Sequence, residues 1–453
     1  MNQAHDTVTL GAQNKLGDDL AYLASFGEAG FLLVSSSEVK PLSHLAENHR
    51  FKDPPPDKSP MTAEGIRRWQ DGEEVAAGQL FKRVRRFIER RVIFTHTCIP
   101  SVLALWAMGT YCHIFFNYFG YVWLTSLVPS CAKTLVAQIV SLVAFNPTGV
   151  LIDPTPATVF RDIDANSSTC AFDEMETLND EQKGQVRAIL NAGFQRGAKV
   201  PRMEAVGKQW KLRAFDVYSP KIISGINQVP RTLQTRSFRI EMRKRKKSEH
   251  ILPFSPDRLE AWSANRRDDM AIPALRNAKK IARLYARRDD LVPKQNEDGD
   301  VVFDDRLRDI FAPLYVMAKI VDDDLGEPAA TSQLYQFLLL QAGARDAEGV
   351  GDYVLAVHAL WNWAKDRWDQ NGNVMIQTHE AQTLFDQAEI DWAATDKAKT
   401  KTLLRKLGGT NDSHWWGNRT RRGYWFSKSE LQDLVERNPL SSTPIDRKKR
   451  EER

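Results

Sequence analysis

Lys133 and Thr134 lie where a predicted buried strand is followed by a predicted helix. The strand is predicted over Phe119–Ser126 (FGYVWLTS), and the helix over Lys133–Phe145, whose apolar residues recur at helical spacing. A loop that leads into a helix N-terminus suits phosphate, because its backbone N–H groups can donate and the helix dipole favours anions. We therefore expect Lys133 to reach the β- and γ-phosphates of a nucleotide, and the Thr134 hydroxyl to ligate Mg²⁺.

The loop departs from the G-x-x-x-x-G-K-[ST] pattern at both glycine positions, where Leu127 and Ala132 stand. Alanine is tolerated at the second position if its φ is negative, but its methyl group crowds the approach to a phosphate. A Lys-Thr pair after a strand also occurs by chance, so the site needs support from other segments. The residues expected to contact the nucleotide are Ser130, Cys131, Ala132, Lys133 and Thr134.

A pair of carboxylates ends a second predicted strand. Ser168–Phe172 (STCAF) is apolar and is followed by Asp173 and Glu174. We expect Asp173 to join Thr134 in the Mg²⁺ shell and Glu174 to polarise the attacking water. The alternative is a helix start, since Asp and Glu favour first turns. The Lys-Thr pair about 40 residues upstream, with a helix between, favours the nucleotide site.

A third predicted strand, Lys221–Ser224, leads to Gly225 and Asn227. Ser224 or Asn227 could contact the γ-phosphate from the strand end. The segment from Arg236 to Met242 alternates apolar and polar residues, so it is also a predicted strand. Arg236 could supply positive charge to the transferring phosphoryl group in a neighbouring subunit. The alternatives are a turn role for Asn227 and a surface salt bridge for Arg236.

In this order the motifs resemble the uncharacterised-domain AAA+ ATPase family of phages, plasmids and mobile elements. Its members are often joined to a primase and are described as helicase-like. The resemblance covers roughly residues 62–430 and is specific through several motifs together. The matching segments are FRDID (Phe160–Asp164), TCAFDE (Thr169–Glu174), ILNAGFQRG (Ile189–Gly197), SPKIISGI (Ser219–Ile226), PRTLQTRSFRIEMRKR (Pro230–Arg245), DRLRDIFAPLYVMAK (Asp305–Lys319) and RRGYWF (Arg421–Phe426).

The resemblance implies an α/β fold: a P-loop AAA+ ATPase core with a parallel sheet, a helical lid and a C-terminal winged-helix-like domain. It matches Lys133 and Thr134 to the Walker A motif, Asp173 and Glu174 to Walker B, and Arg236 to the arginine of a TL-x-x-R motif. It further implies ATP and Mg²⁺ as cofactors, a homo-oligomeric ring such as a hexamer, and work on DNA during replication of a mobile element. Ala132 in place of glycine puts the rate of hydrolysis in question.

Candidate contacts with nucleic acid lie in three segments. Val200–Phe215 is a predicted hairpin, and a hairpin at this place holds single-stranded DNA in ring helicases of superfamily three. The residues expected to contact DNA there are Arg202, Lys208 at the tip, Lys211 and Arg213. The alternative is a solvated surface hairpin.

The second segment is the basic run Arg231–His250, for which a solvated face is the alternative. The third is the basic helix predicted over Lys397–Lys406, followed by a wing-like stretch in which Arg421 and Arg422 stand among aromatic residues. Interleaved basic and aromatic side chains suit phosphate contact and base stacking. The alternative there is a packing domain in which Trp416 and Trp425 form the core. Single-stranded or forked DNA is the expected partner.

Composition excludes several classes of protein. The chain has 453 residues with 63 Lys+Arg against 58 Asp+Glu, so its net charge of +5 alone does not indicate nucleic acid. Four cysteines without CxxC spacing exclude a disulfide scaffold and argue against a zinc site. The first 30 residues show no signal peptide, which indicates a cytoplasmic protein. Val92–Ala132 lacks charged residues, and we favour a buried helix and strand over a membrane span.

The chain is expected to divide by composition. The ranges are 1–60 (an N-terminal segment of unclear fold with a proline-rich linker), 61–118 (a helical lead-in), 119–250 (the ATPase core), 251–345 (the lid), 346–440 (the winged-helix-like domain) and 441–453 (a charged tail). The lead-in includes Glu64–Arg91, predicted as a helix with a basic face. Residues 1–60 carry no primase signature, so any priming needs a separate primase.

Three functions remain open from the sequence. The first is an ATP-driven, helicase-like motor on DNA. The second is a nucleotide-binding and DNA-binding module with little or no turnover, because of the altered loop. The third is a protein anchored in a membrane through Val92–Ala132.

Overall fold

The structure is a computed structural model of the chain, which forms two compact units, Met1–Gln341 and Ala342–Arg453. The residues that it describes are 8–25, 31–41, 49–52, 55–126, 130–152, 154–173, 180–206, 209–225, 230–253, 256–297, 303–349, 352–388, 390, 394, 396–416 and 419–437.

Strands occur in both units: the first thirteen below lie in the first unit and the last three in the second. The strands are β1 (Val8–Leu10), β2 (Gln13–Leu16), β3 (Asp19–Ser25), β4 (Phe31–Ser35), β5 (Val39–Pro41), β6 (His49–Phe51), β7 (Tyr121–Thr125), β8 (Pro147–Ile152), β9 (Thr169–Asp173), β10 (Lys199–Val206), β11 (Gln209–Asp216), β12 (Lys221–Ser224), β13 (Ser237–Glu241), β14 (Asn373–Ile376), β15 (Thr410–Trp416) and β16 (Arg419–Ser427).

The helices are α1 (Ala63–Gln70), α2 (Ala77–Glu89), α3 (Ile99–Thr110), α4 (Lys133–Leu142), α5 (Pro156–Asn166), α6 (Asp180–Ala192), α7 (Arg231–Gln234), α8 (Pro256–Arg276), α9 (Ala278–Ala286), α10 (Arg288–Leu291), α11 (Asp305–Leu325), α12 (Ala329–Gly349), α13 (Asp352–Ala364), α14 (Thr378–Gln387), α15 (Lys397–Lys406) and α16 (Lys428–Arg437).

A five-stranded parallel sheet forms the centre of the first unit, in the order β13-β7-β12-β9-β8. Every residue of β7, β9 and β12 is buried, as is typical of parallel strands that are covered on both faces. After β7 the chain crosses to the far edge of the sheet at β8 and then returns strand by strand. The loop after β7 therefore lies where the strand order reverses, which is where ligands bind in open α/β sheets.

Most of the uncharged stretch from Cys98 to Ser126 is interior to this unit. All residues of α3 are buried, and α3 packs against α2 and α11. The indole Nε1 of Trp106 donates a hydrogen bond to the Gly120 carbonyl oxygen, 2.8 Å away, which ties α3 to the start of β7. None of the described helices is both long and apolar enough to span a membrane.

The N-terminal residues form strands, which their sequence left undecided. β2 to β5 make a four-stranded antiparallel sheet, and β1 pairs with β6 in parallel. The Tyr22 hydroxyl donates to the Tyr111 carbonyl oxygen at 2.6 Å, which joins this sheet to the end of α3. The segment expected to be a proline-rich linker also forms an ion pair with the rest of the first unit. The Lys58 ammonium lies 2.9 Å from the Asp162 carboxylate on α5.

The basic stretch predicted as one helix over Glu64–Arg91 is two helices, α1 and α2. The break falls at Asp71 and Gly72, where Gly72 has a φ of +76°. A residue in this left-handed region ends a helix, and glycine adopts it without a steric cost. α2 keeps a row of basic side chains at helical spacing on one face: Lys82, Arg83, Arg86 and Arg90.

The second unit has its own core, built from α13, α14, α15, α16 and the antiparallel sheet β14-β16-β15. Tyr424 and Phe426 on β16 are buried in it, and Trp361 and Trp368 pack against it. Trp425 is only half-buried. The side chain of Trp416 lies outside the described residues. Part of the aromatic content of this segment therefore serves packing.

His113 is fully buried in a 3₁₀ turn over His113–Phe115. Its Nδ1 lies 2.8 Å from the Thr110 carbonyl oxygen, and the Phe119, Phe145 and Tyr218 rings surround it. Burial lowers the pKa of His113 to about 4, because the imidazolium would lose its hydration there.

We expect the protein to lose stability in mild acid through His113. Between pH 6.5 and pH 4 an unfolded histidine is protonated while the folded one stays neutral, so the unfolded state binds more protons. The free energy of unfolding should fall across this window by up to roughly 3 kcal/mol from this residue. Urea titrations at several pH values measure it. If His113→Asn shows the same pH dependence as the wild type, this assignment is wrong.

Candidate functional site

Three parallel strands end side by side and bring polar residues to one edge of the sheet. Ser126 follows β7, Asp173 ends β9, and Ser224 ends β12 between them. The strand register aligns Ser224 with Leu124 and Ile223 with Phe172. The strand ends are thus level, as a shared ligand site at the carboxyl edge requires.

The loop before α4 adopts a left-handed backbone at two residues. Ser130 and Ala132 both have a φ of +61°. Alanine was expected to be tolerated at position 132 if its φ is negative, but its φ is positive. An L-residue in this region costs roughly 1–2 kcal/mol, and glycine does not pay that penalty. The backbone at Ala132 has the conformation that glycine favours, although the residue is alanine. Leu127 lies outside the described residues.

Lys133 is the first residue of α4, and its side chain is turned into the protein. The residue is only 9% exposed, and its Nζ donates to the Ser126 hydroxyl at 2.7 Å. The ammonium therefore lies between the end of β7 and the start of α4. Ser126 was not among the expected site residues. The signal that could have found it is its place as a hydroxyl residue that directly follows the strand and precedes the loop.

The Thr134 hydroxyl donates to the Asp173 carboxylate across 2.5 Å. This bond joins the two motifs that the sequence proposed as partners around a metal ion. α4 starts after β7 and packs over β12 and β9. Its first turn therefore lies close to the end of β9, where Asp173 stands. A hydroxyl and a carboxylate oxygen at this distance are ligands that Mg²⁺ accepts. Cys131 is buried beside them, and Ser130 is exposed.

Ser224 carries a buried hydroxyl. From the sequence, it was expected only as an alternative to Asn227 for contact with the γ-phosphate. Its Oγ has no hydrogen-bond partner among the residues that the structure describes. A buried polar atom left in this state costs about 1–3 kcal/mol, so such an atom marks a place for a further hydrogen-bonding group. Glu174 and Asn227, the other candidate catalytic residues, lie outside the described residues.

Arg236 lies at the opposite end of the sheet. It precedes β13, and its carbonyl oxygen accepts from the Tyr121 amide at the start of β7, at 3.0 Å. Its guanidinium Nη1 donates to the Asn191 side chain at 2.5 Å and lies over the Phe194 ring. Burial lowers the pKa of Arg236 and so does the nearby charge of Arg306. The length of β7, roughly 15 Å, separates it from the loop of its own subunit.

The hairpin β10–β11 divides its residues between two faces in a way that the sequence did not predict. Arg213 forms ion pairs with Asp164 at 3.1 Å and Glu204 at 3.3 Å, and Arg202 lies over the Phe160 ring. These two arginines face α5. The outer face carries Met203, Trp210 and Leu212, which are 54%, 68% and 71% exposed. Among the proposed DNA contacts here, Lys211 is exposed and Lys208 lies outside the described residues.

Two further DNA candidates belong to the second unit. Arg422 on β16 is exposed, and the side chain of Arg421 lies outside the described residues. α15 covers the whole basic segment predicted as a helix, and Thr400, Leu403 and Leu404 are its buried residues.

The comparisons with known proteins find similarity to solved structures, but no match among family models or curated proteins. Among solved structures it is similar to one titled "SCCmec type IV Cch - active helicase", with 11% sequence identity and a TM-score of 0.45. The similarity covers 94% of this chain and 80% of that chain.

We expect Ala132→Gly to stabilise the protein, because glycine adopts a φ of +61° without the strain that alanine carries. The free energy of unfolding should rise by about 1 kcal/mol. Ala282→Gly is the matched control, since Ala282 lies inside α9, where glycine should cost about 1 kcal/mol. Urea denaturation of the three proteins measures both. A loss of stability in Ala132→Gly would show that the alanine is well accommodated.

Proposed function

We propose that the protein is an ATP-dependent, helicase-like motor that acts on DNA. The observation that carries the proposal is the hydrogen bond from Thr134 to Asp173, with Lys133 beside it at the carboxyl edge of the parallel sheet. A lysine, a hydroxyl and a carboxylate at one strand edge are the set that Mg²⁺-nucleotide chemistry uses.

The residues present fit a magnesium nucleotide. Thr134 and Asp173 offer oxygen ligands 2.5 Å apart, and the Ser224 hydroxyl has no other described partner. When bound, Mg²⁺ neutralises charge on the phosphate oxygens. Lys133 would exchange its hydrogen bond to Ser126 for one to a phosphate oxygen, so Ser126 holds the ammonium in place beforehand. Glu174, next to Asp173 in sequence, is proposed to polarise the attacking water.

The position of Arg236 supports action between subunits. Its distance from the loop of its own chain leaves a neighbouring subunit as the site it could serve. Its neighbour Arg306 lies over the same Phe194 ring, so two positive charges meet on one surface. A homo-oligomeric ring would place this surface against the nucleotide of the next subunit. We propose such a ring, and a hexamer is the arrangement implied by the family resemblance.

DNA contact is proposed through the hairpin and the second unit. The exposed Trp210 offers a ring for base stacking on the outer face of the hairpin. The exposed Lys211, on the opposite face of the same strand, offers a charge for the phosphate backbone. α15 followed by the β15–β16 hairpin is the helix-then-wing order of a winged-helix-like domain. We propose α8 to α12 as the lid, replication of a mobile element as the setting, and a primase as a separate protein.

A second candidate is a nucleotide-binding and DNA-binding module with weak turnover. The observation that favours it is the strained loop, in which Ser130 and Ala132 both adopt positive φ. Cβ atoms at these positions restrict how closely phosphate can approach the backbone. Measurement of ATP turnover with and without single-stranded DNA separates the candidates. The motor requires turnover that DNA stimulates.

Lys133→Ala should weaken ATP binding by roughly 10- to 100-fold, because it removes a charge-assisted hydrogen bond to phosphate. The fold should persist, since α4 keeps its buried apolar residues Val136, Ile139 and Val140 and alanine is a good helix former. Lys279→Ala, at an exposed lysine, is the control and should bind as the wild type does. Titration with a fluorescent ATP analogue measures the affinity. An unchanged affinity in Lys133→Ala would remove the phosphate-loop assignment.

Arg236→Ala should reduce turnover by about three to five orders of magnitude if it acts on a neighbour's phosphoryl group, with little change in ATP affinity. Arg287→Ala, at an exposed arginine that pairs with Asp290, is the control and should retain most turnover. Mixing Arg236→Ala with Lys133→Ala subunits should recover part of the activity, because intact pairs reappear at some interfaces. If mixed assemblies confirmed by sizing stay inactive, Arg236 does not act between subunits.

A further inference from the structure

A basic groove runs along α2, and none of its lining residues is among the site residues assigned above. Its volume is about 470 Å³. The lining residues are Gln79, Lys82, Arg83, Arg86, Phe87, Arg90, Arg91, Leu252 and Arg266. Six of these nine are lysine or arginine, and no Asp or Glu of the described ranges is among them. The groove concentrates positive charge on a concave surface, which attracts an anionic ligand.

The basic run after β13 is anchored beside this groove at both of its ends. The Thr95 hydroxyl donates to the Glu241 carbonyl oxygen at 3.1 Å, before the run. The Leu252 amide donates to the Arg90 carbonyl oxygen at 2.7 Å, after the run. Residues 244–247 between these anchors are Lys, Arg, Lys and Lys, and all four are exposed. Two basic segments far apart in sequence therefore form one surface.

Few carboxylates neutralise this surface. Asp269 is shared among Arg68, Arg83 and Arg266, at 2.8, 3.8 and 2.6 Å. Glu89 is paired with Arg85, and Lys82 lies 3.9 Å from the exposed Glu327.

Arg243 and Glu249 pair with each other at the base of the loop, which leaves the lysines between them pointing to solvent. In the described part of the chain, no carboxylate forms an ion pair with Arg86 or Arg90. Both of these arginines are exposed. Arg91 lies over the Phe87 ring at 4.0 Å, so it forms the floor of the groove.

The spacing of these charges favours a chain of phosphates over a single one. Lys82 and Arg90 are eight residues apart on one helix, a distance of about 12 Å along the axis. That distance spans more than one phosphate of a nucleic-acid strand, for which successive phosphates lie a few ångströms apart. Free nucleotide would occupy only part of such a row. The loop 244–247 extends the row further.

The surface also adjoins the candidate nucleotide site. Glu241 pairs with Thr125 in the sheet, and the Met242 amide donates to the Thr125 carbonyl oxygen at 2.7 Å. Ser126, the partner of Lys133, is the next residue after Thr125. The basic loop therefore begins directly beside the strand that carries the phosphate loop.

We propose that the α2 groove and the loop 244–247 form one surface that binds the phosphate backbone of a nucleic acid. Its role in a DNA motor rests on the proposed function, whereas its affinity for phosphates follows from the charges of the groove and the loop. Its residues belong to the first unit, and none of them lies on the β10–β11 hairpin.

The test is binding of fluorescein-labelled oligothymidylate to the full-length chain, measured by polarisation between about 50 and 200 mM salt. Arg86→Gln combined with Arg90→Gln should weaken binding by roughly 10- to 100-fold, with the salt slope reduced by about 1.4 for two lost phosphate contacts. Lys244→Gln combined with Lys246→Gln should have a similar effect. Arg86→Lys combined with Arg90→Lys should restore most of the affinity, because the charges remain.

Arg287→Gln, at an exposed arginine on another part of the unit, controls for general charge loss. Equal affinity and slope in the Gln variants and the wild type would overturn the proposal, as would an equal loss in Arg287→Gln. Displacement of the oligonucleotide by ATP, or binding to phosphatidylglycerol vesicles in place of DNA, would also overturn it.

The Lys133→Ala variant separates this proposal from the proposed function. It should bind the oligonucleotide as the wild type does, while losing ATP. If the wild type neither binds nor hydrolyses ATP but the salt slopes behave as expected, the surface stands and the motor does not. If ATP turnover is present and the groove variants bind DNA normally, only the surface proposal fails.

Discussion

The hydrogen bond between Thr134 and Asp173 depends on the parallel register of three strands. β12 lies between β7 and β9, so the end of β7 and the end of β9 are about 10 Å apart. α4 bridges that gap because it leaves β7 and packs across β12 and β9 on its way to β8. A shift of one residue in either pairing would turn Asp173 to the other face of the sheet. The candidate site is therefore a consequence of the sheet.

The loop before α4 shows a conflict between local preference and site geometry. Two residues with side chains, Ser130 and Ala132, hold a backbone conformation that suits glycine. Such strain persists only where the surroundings fix the backbone, and it concentrates at functional sites. Here the surroundings are the buried ends of β7 and α4, with Lys133 tied to Ser126 across the loop. The strained backbone of the loop thus goes together with a lysine that is fixed at the strand edge.

Positive charge is divided between structural and exposed roles. Arg213 and Arg202 face α5, where an ion-pair network and an aromatic ring engage them. Arg236 is half-buried against Asn191 and Phe194. The exposed charges are instead collected on α2 and on the loop 244–247, where few carboxylates approach. Composition alone, with a net charge of +5, does not show this separation.

The sequence by itself determined β7, β9 and β12 of the parallel sheet, because continuous apolar runs bounded by polar residues are stable when buried on both faces. Alternation of apolar and polar residues indicated β13, whereas β8 was not predicted. The sequence also indicated that Lys133, Thr134 and Asp173 belong to one site, since each follows or ends such a run. The N-terminal strands could not be predicted, because short apolar segments are stable only once they pair.

Only the tertiary structure decided the sign of φ at Ala132, the partnership of Lys133 with Ser126, and the inward direction of Arg202 and Arg213. These depend on neighbours distant in sequence: the sheet edge beside the loop, and α5 beneath the hairpin. The joining of α2 with the loop 244–247 has the same origin, because backbone hydrogen bonds at Arg90 and Glu241 bring the two segments together. Periodicity reports which face of an element is apolar, and packing decides what that face meets.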